Sequence, residues 1–240
     1  MKHEDPAAGI EVPRVMAVLQ SCGVELTTEQ ATLLARHAEL VLEANQHINL
    51  TRITAPEDVM RLHLADSLMF VNLVEPLRGP ILDVGSGAGY PGIPLAIMGY
   101  DVQLCESVKK KAAFLAGSVQ SLNLPVQVHA VRAEELAATA PGQYNTVVFR
   151  AVSSLASLVE LASPLLRDGA RAIALKAAVT EDERRAGARA GSLCGMKPVD
   201  ERRYTLPSGE NRTVLVYERT GSASTRLPRR PGLAQNHPLG

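Results

Sequence analysis

Between residues 81 and 106 an apolar strand, a glycine loop and two carboxylates stand at spacings that suit a nucleoside-bearing ligand. Ile81-Leu82-Asp83-Val84 leads into Gly85-Ser86-Gly87-Ala88-Gly89, and Glu106 follows 23 residues after Asp83. Glycines between a strand and a helix let the backbone pass close to a ligand, and the helix N-terminus offers free N–H groups. The run Gly87 to Gly92 also fits the G-x-G-x-x-G pattern of dinucleotide sites, a weak signal by itself. Asp83 separates the two ligand classes, because a carboxylate just before the loop repels a pyrophosphate but pairs with the ammonium of a methionine moiety. Pro91 also interrupts the helix whose N-terminus would have to cradle phosphates. Charge complementarity thus favours S-adenosylmethionine, a cation without phosphate. Glu106 ends the next strand, where an acid accepts ribose hydroxyls in either class; its plainer reading is a solvated glutamate or a partner of Lys109 or Lys110.

The elements that must position these groups read as an α/β fold. From Gly79 onward short apolar runs alternate with helical stretches, the pattern of a doubly wound parallel sheet covered on both faces. The spacing predicts strands over Ile81 to Val84, Val102 to Cys105, Val126 to Val131, Thr146 to Phe149 and Arg171 to Leu175. Helices fit at Ser107 to Leu122, Glu134 to Ala140 and Ser154 to Leu166. Ligands of such sheets sit outside the carboxyl ends of the strands. Ala133, Glu134, Arg150 and Lys176 all fall at that edge, and the buried run Val147-Val148-Phe149 delivers Arg150 to the crevice. Glu134 serves equally as a first-turn acid that suits the helix dipole, and Lys176 as a solvated cation.

A capping box at Thr180 to Glu183 opens a polar helix ending near Gly191, and two closing strands follow around 196–204 and 213–219, joined by Pro207-Ser208-Gly209. Residues 220–240, rich in Pro, Gly and Ser with Arg226, Arg229 and Arg230, read as a disordered basic tail. Residues 1–76 read as an N-terminal helical extension to a core at 77–219. The clearest of its three amphipathic helices runs from Thr28 to His47 behind the capping box Thr27 to Gln30. In a later one, from Pro56 to Val74, Met60, Leu64, Leu68 and Val71 form an apolar stripe that His63, Asp66 and Ser67 border. Read plainly, His63 is braced there by Asp66.

The chain has 240 residues, enough for one sizeable core, and with no Trp and three Phe that core must be aliphatic. Three scattered cysteines suggest neither a disulfide framework nor a metal site, and fit a reducing compartment. No signal-peptide h-region or membrane-length apolar stretch is present, so a cytoplasmic protein without membrane contact is expected. Lys plus Arg and Asp plus Glu number 25 each. The whole-molecule field of many nucleic-acid binders is therefore absent, and any such contact must be local, as at Lys109-Lys110-Lys111 or the Arg226 to Arg230 tail.

Taken together, Asn45 to Thr51, His63 with Asp66-Ser67-Leu68, Asp83 to Leu95, Lys110 to Leu115, Arg132 to Glu135 and Arg150-Ala151-Val152 resemble the bacterial 16S ribosomal RNA guanine-N7 methyltransferases, the RsmG or glucose-inhibited division protein B family, over about residues 35 to 218. The resemblance implies a seven-stranded, Rossmann-like S-adenosylmethionine-dependent methyltransferase core whose last strand is antiparallel. It implies cofactor contacts at Gly85, Tyr90, Ala133, Glu134 and Arg150, with Glu106 on the ribose and Asp83, Gly87 and Gly89 completing the loop. It further implies a substrate side at Asn49, Thr51, His63, Asp66 and Ser67, to which the strand-edge position adds Lys176, with Asp66 and Arg150 nearest the chemistry. The substrate would be one guanine of the decoding-region (530) loop in small-subunit 16S rRNA, free or assembled, and the enzyme a monomer.

Guanine N7 is an unprotonated lone pair, so no general base is needed and none is evident. Asn49 and Thr51 serve equally well as backbone-satisfying turn residues. Three rivals share parts of this pattern: a small-molecule methyltransferase using the helical segment as a lid, a nicotinamide-dependent oxidoreductase that Asp83 disfavours, and a non-catalytic RNA-binding module.

Overall fold

The computed structural model describes residues 9–74 and 76–240. One seven-stranded sheet organises it, built from β1 (Ile81–Val84), β2 (Val102–Cys105), β3 (Gln127–His129), β4 (Tyr144–Arg150), β5 (Leu166–Lys176), β6 (Met196–Thr205) and β7 (Asn211–Arg219). The spatial order is β3-β2-β1-β4-β5-β7-β6. The first five strands run parallel, with Asp83 level with Leu104 on one side and Val148 on the other, while β7 is antiparallel to both β5 and β6. Strand order reverses between β1 and β4, the switch point where a crevice opens at the carboxyl ends of a doubly wound sheet. β3 is shorter than its apolar run predicts because it pairs on one side only, with β2.

Helices cover both faces. α1 (Val12–Ser21), α2 (Thr28–Asn45), α5 (Gly92–Ile97) and α6 (Lys109–Ser121) lie on one face. So does a continuous helical run made of α3 (Pro56–Val59), a π-helical segment Met60–Ala65, α4 (Asp66–Leu68) and a 3-10 turn Met69–Leu73. α7 (Ala133–Thr139), α8 (Leu155–Ala162) and α9 (Glu181–Cys194) lie on the other. The predicted capping box of α2 is formed, with Gln30 N donating to Thr27 Oγ1 at 3.1 Å and Thr27 N to Gln30 Oε1 at 2.8 Å. The N-terminal helices are no separate appendage: Ile10, Leu34, Leu64 and Phe70 belong to the same apolar cluster as Ile81, Leu104 and Val216. Among the described residues no helix is long and apolar enough to cross a membrane, and no group of His, Cys, Asp and Glu could hold a metal ion.

The tail corrects the expectation of disorder. Residues 221–240 pack along α7, α8 and α9 and include α10 (Leu233–Asn236), with Ala234 buried and Leu227 and Leu239 against the same core. Arg229 forks the carboxylate of Glu160, a side chain 3 % exposed, at 2.6 and 2.7 Å. Composition measures whether a segment can build a core of its own, whereas this one adds a few apolar groups to an existing core and neutralises a buried charge in it.

Candidate active site

The glycine loop is fixed by its own carboxylates. Gly85 N donates to Cys105 O at 2.8 Å, which docks the end of β1 on β2. Gly85 has φ +74, and a Cβ there would lie 2.8 Å from Val152 Cγ2, so this loop and the segment after β4 meet at the switch point only because the residue is glycine. Glu106 accepts the N–H of Gly87 at 3.0 Å and of Val108 at 2.8 Å. Asp83, 1 % exposed, accepts the N–H of Gly92 on Oδ2 at 3.0 Å, while its Oδ1 is buried with no hydrogen-bond partner. Burial pushes the Asp83 carboxyl up to about 7, against the Gly92 hydrogen bond. A buried oxygen without a partner marks a place where a donor or a positive charge would be favourable.

Arg150, at the end of β4, reaches across to the π-helical segment. Its Nη1 donates to Leu62 O at 3.2 Å and to Asp66 Oδ2 at 3.3 Å, its Nη2 donates to His63 Nδ1 at 2.9 Å, and its guanidinium lies 5.3 Å from the Tyr90 ring centre. Since an arginine only donates, His63 Nδ1 accepts, and Nε2 carries the proton given to Thr51 Oγ1 at 2.8 Å. Asp66 also takes the hydroxyl of Tyr204 at 2.8 Å and lies 3.2 Å from Arg212 Nε. The widened π turn brings both His63 and Asp66 to Arg150; such turns recur at functional sites. In place of the direct His63 to Asp66 brace, the two residues are joined through Arg150.

Tyr90 packs against two histidines, with ring centres 4.6 Å from both His37 and His63, and its buried hydroxyl has no hydrogen-bond partner. His37, fully buried, donates from Nε2 to the carbonyl of Ala88 at 2.9 Å, pinning the glycine loop to α2. Burial pushes His37 down to about 4 and His63 to about 3, with the Arg150 charge adding to both, so both rings are neutral in the fold. Their contribution to stability is therefore complete above about pH 6.5 and is lost as pH falls towards 4 and 3, where the unfolded chain takes up protons that the fold refuses. The melting temperature should drop on acidification from pH 6.5 to 4, and His37→Gln/His63→Gln should show a shallower acid slope in calorimetry. An unchanged slope would rule out the buried neutral pair.

The remaining expected residues are placed as follows. Ala133 and Glu134 form the first turn of α7, and Glu134 is buried and bonded to the tail. Ser67 donates to His63 O at 2.6 Å, inside its own helix. Asn49 is exposed, whereas Asn45, not singled out beforehand, accepts the N–H groups of Leu50 and Thr51. Lys176 donates to Ser153 O at 2.8 Å and pairs with Glu183 at 2.7 Å, which holds the segment after β4. In that segment Ala151 takes φ +55, a conformation unusual outside glycine. His37, Tyr204 and Arg212 were also missed. His37 has the spacing of an ordinary stripe residue on α2, and the other two lie 138 and 146 residues from Asp66, so no local pattern pointed to them.

A family model described as GidB, rRNA small subunit methyltransferase G, matches residues 30–207. The ribosomal RNA small subunit methyltransferase G of Levilactobacillus brevis is 36 % identical over 234 residues, covering 93 % of this chain and 96 % of its own. That of Deinococcus radiodurans is 37 % identical over 218 residues, covering 85 % and 84 %. Among solved structures, a branched-chain polyamine synthase mutein from Thermus thermophilus superposes with a TM-score of 0.58 at 15 % identity, covering 82 % of this chain and 67 % of that one, a likeness of fold alone.

Proposed function

Because the chain belongs to the GidB family, that of rRNA small subunit methyltransferase G, we propose that it transfers a methyl group from S-adenosylmethionine to N7 of one guanine in the 530 loop of 16S rRNA. The observation that carries the cofactor half is the partnerless buried oxygen of Asp83 beside the glycine loop at the switch point.

The residues present fit that cofactor. Asp83 offers a buried anionic oxygen to its ammonium. Glu106 holds two backbone amides, one on each oxygen, and each carboxylate oxygen keeps a lone pair for a ribose hydroxyl. Ala133 and Glu134 border the adenosine end, and Tyr90 and Arg150 form the wall facing the acceptor. When bound, the cofactor supplies a sulfonium methyl. Guanine N7 carries an unprotonated lone pair, so it would accept that methyl without a base, and the loop, Tyr90 and Arg150 would serve to hold the two groups in line. No proton is removed, which agrees with a site whose histidines are buried, neutral and committed to Thr51, Arg150 and Ala88. Rate then comes from alignment and exclusion of water, worth up to about 7 to 11 kcal/mol in favourable cases.

His63, Asp66 and Arg150 act here as positioning residues, setting the helical run against the loop so that the acceptor base meets the methyl in line. Asn49 and Thr51 lie on the segment leading into that run, Asn49 exposed towards an incoming RNA and Thr51 tying the segment to His63. Purified protein given methyl-labelled S-adenosylmethionine, small subunits lacking the modification and a metabolite extract should label RNA. Label in a small molecule and none in RNA would replace the RNA reading with that of a small-molecule enzyme.

A further inference from the structure

Glu134 is 7 % exposed, and its Oε1 accepts the backbone N–H of Gly232 at 2.7 Å, from 98 residues further along the chain. Its Oε2 has no hydrogen-bond partner among the described residues. Gly232 starts α10 with φ +87, a backbone geometry that suits glycine, and so presents its N–H to α7.

Clamps on both sides hold it there. Before it, Arg229 forks the buried Glu160 and also donates to His237 O at 2.7 Å. After it, Leu239 N adds a third hydrogen bond to Glu160, on Oε2 at 3.0 Å, and Arg189 donates to Gly240 O at 2.9 Å. An open cavity of about 750 Å³ lies against this segment, lined by Glu134, Ala138, Arg229, Pro231 and Leu233 among others.

We infer that residues 229–239 form a positioning strap for the adenosine end of the cofactor site. The Gly232 N–H holds one oxygen of Glu134 so that the other is set to accept from the adenosine portion, and the Arg229 to Glu160 fork keeps the strap in place. A flexible carboxylate fixed before binding loses less freedom when the ligand arrives. The inference rests on the reading of Glu134 as a cofactor residue. Its consequence is specific: loosening the strap weakens cofactor affinity and leaves RNA affinity and turnover at saturating cofactor in place.

Full-length Arg229→Met, Glu134→Ala and their combination should be titrated with S-adenosylhomocysteine by calorimetry and assayed for KM and kcat. Because Arg229→Met leaves a buried charge unpaired, Arg229→Met/Glu160→Met, which removes that charge too, is measured beside it, below the melting temperature of each. For the strap variants Arg229→Met and Arg229→Met/Glu160→Met we expect Kd and the KM for S-adenosylmethionine to rise about tenfold with kcat and the KM for RNA unchanged; Glu134→Ala should weaken binding at least as much, and its combination with Arg229→Met should bind no more weakly than Glu134→Ala alone, the non-additivity of residues acting through one contact. Normal affinity in both strap variants beside a weakened Glu134→Ala, or additive losses, would overturn the strap. Normal affinity in Glu134→Ala would overturn the placement of Glu134 and the strap's role with it.

Discussion

Asp83→Asn should weaken S-adenosylmethionine binding by tenfold or more while raising the melting temperature of the ligand-free protein above pH 7. The two effects have one origin. Burial raises the Asp83 carboxyl to about 7, so the neutral form is preferred in the fold. For an acid whose folded pKa is raised, the favourable contribution is present at low pH and lost as pH rises through that value. Above pH 7 the ligand-free protein therefore carries a costly buried anion, which asparagine removes while its amide oxygen still accepts from Gly92. Each pKa unit corresponds to about 1.4 kcal/mol, so the gain at pH 8 is measurable as a shift in melting temperature. The anion is also what pairs with the ammonium of the ligand, so wild-type affinity should increase from pH 6 to 8 and the asparagine variant should lose that dependence. Calorimetry at the two pH values checks both halves. A variant that binds normally, or whose free form melts lower at pH 8, would contradict this assignment.

Arg150→Ala should lower methyl transfer by about a hundredfold or more. This guanidinium joins β4 to the helical run through Leu62 O, His63 and Asp66 and lies over Tyr90. Without it His63 Nδ1 loses its partner in a buried setting, and Asp66 is left to Tyr204 and Arg212. Removing one member of such a buried pair costs about 3 to 5 kcal/mol of stability. A misplacement of about 1 Å at the acceptor side can cost about 100-fold in rate. Arg150→Lys should restore little, because an ammonium cannot reproduce the planar fork that serves three acceptors. The effect should fall on kcat more than on the KM for the cofactor. Single-turnover rates near wild type in a folded Arg150→Ala protein would remove Arg150 from the mechanism.

What could be read in advance follows sequence distance. The strand and loop from Ile81 to Gly89 were legible because period and glycine spacing are local, and the edge position of Glu106, Glu134 and Arg150 followed from the rule that ligands gather at strand carboxyl ends. The hub around Asp66 was legible only in part. His63 and Asp66 lie on one stripe, but their common partner comes from β4, and Tyr204 and Arg212 come from the closing hairpin, where nothing in the spacing marks them. The π-helical segment shifts the register that a regular helix would give, so residues expected beside the buried face are buried themselves. The tail was misread because its composition is that of a disordered segment, while its order comes from one arginine meeting one buried carboxylate 69 residues away. Net neutrality is likewise a poor guide to local charge. Many of the cations form ion pairs, whereas Lys109 and Lys110 stand exposed at the start of α6, close to Glu106 at the crevice.

The central claim, methyl transfer to guanine N7 of small-subunit RNA, is tested most directly by mapping 7-methylguanosine in 16S rRNA from cells with and without this gene. The account predicts one N7-methylated guanine in the 530 loop that disappears with the gene and returns with the wild-type chain but not with Arg150→Ala. An unchanged methylation pattern in cells lacking the gene would contradict it.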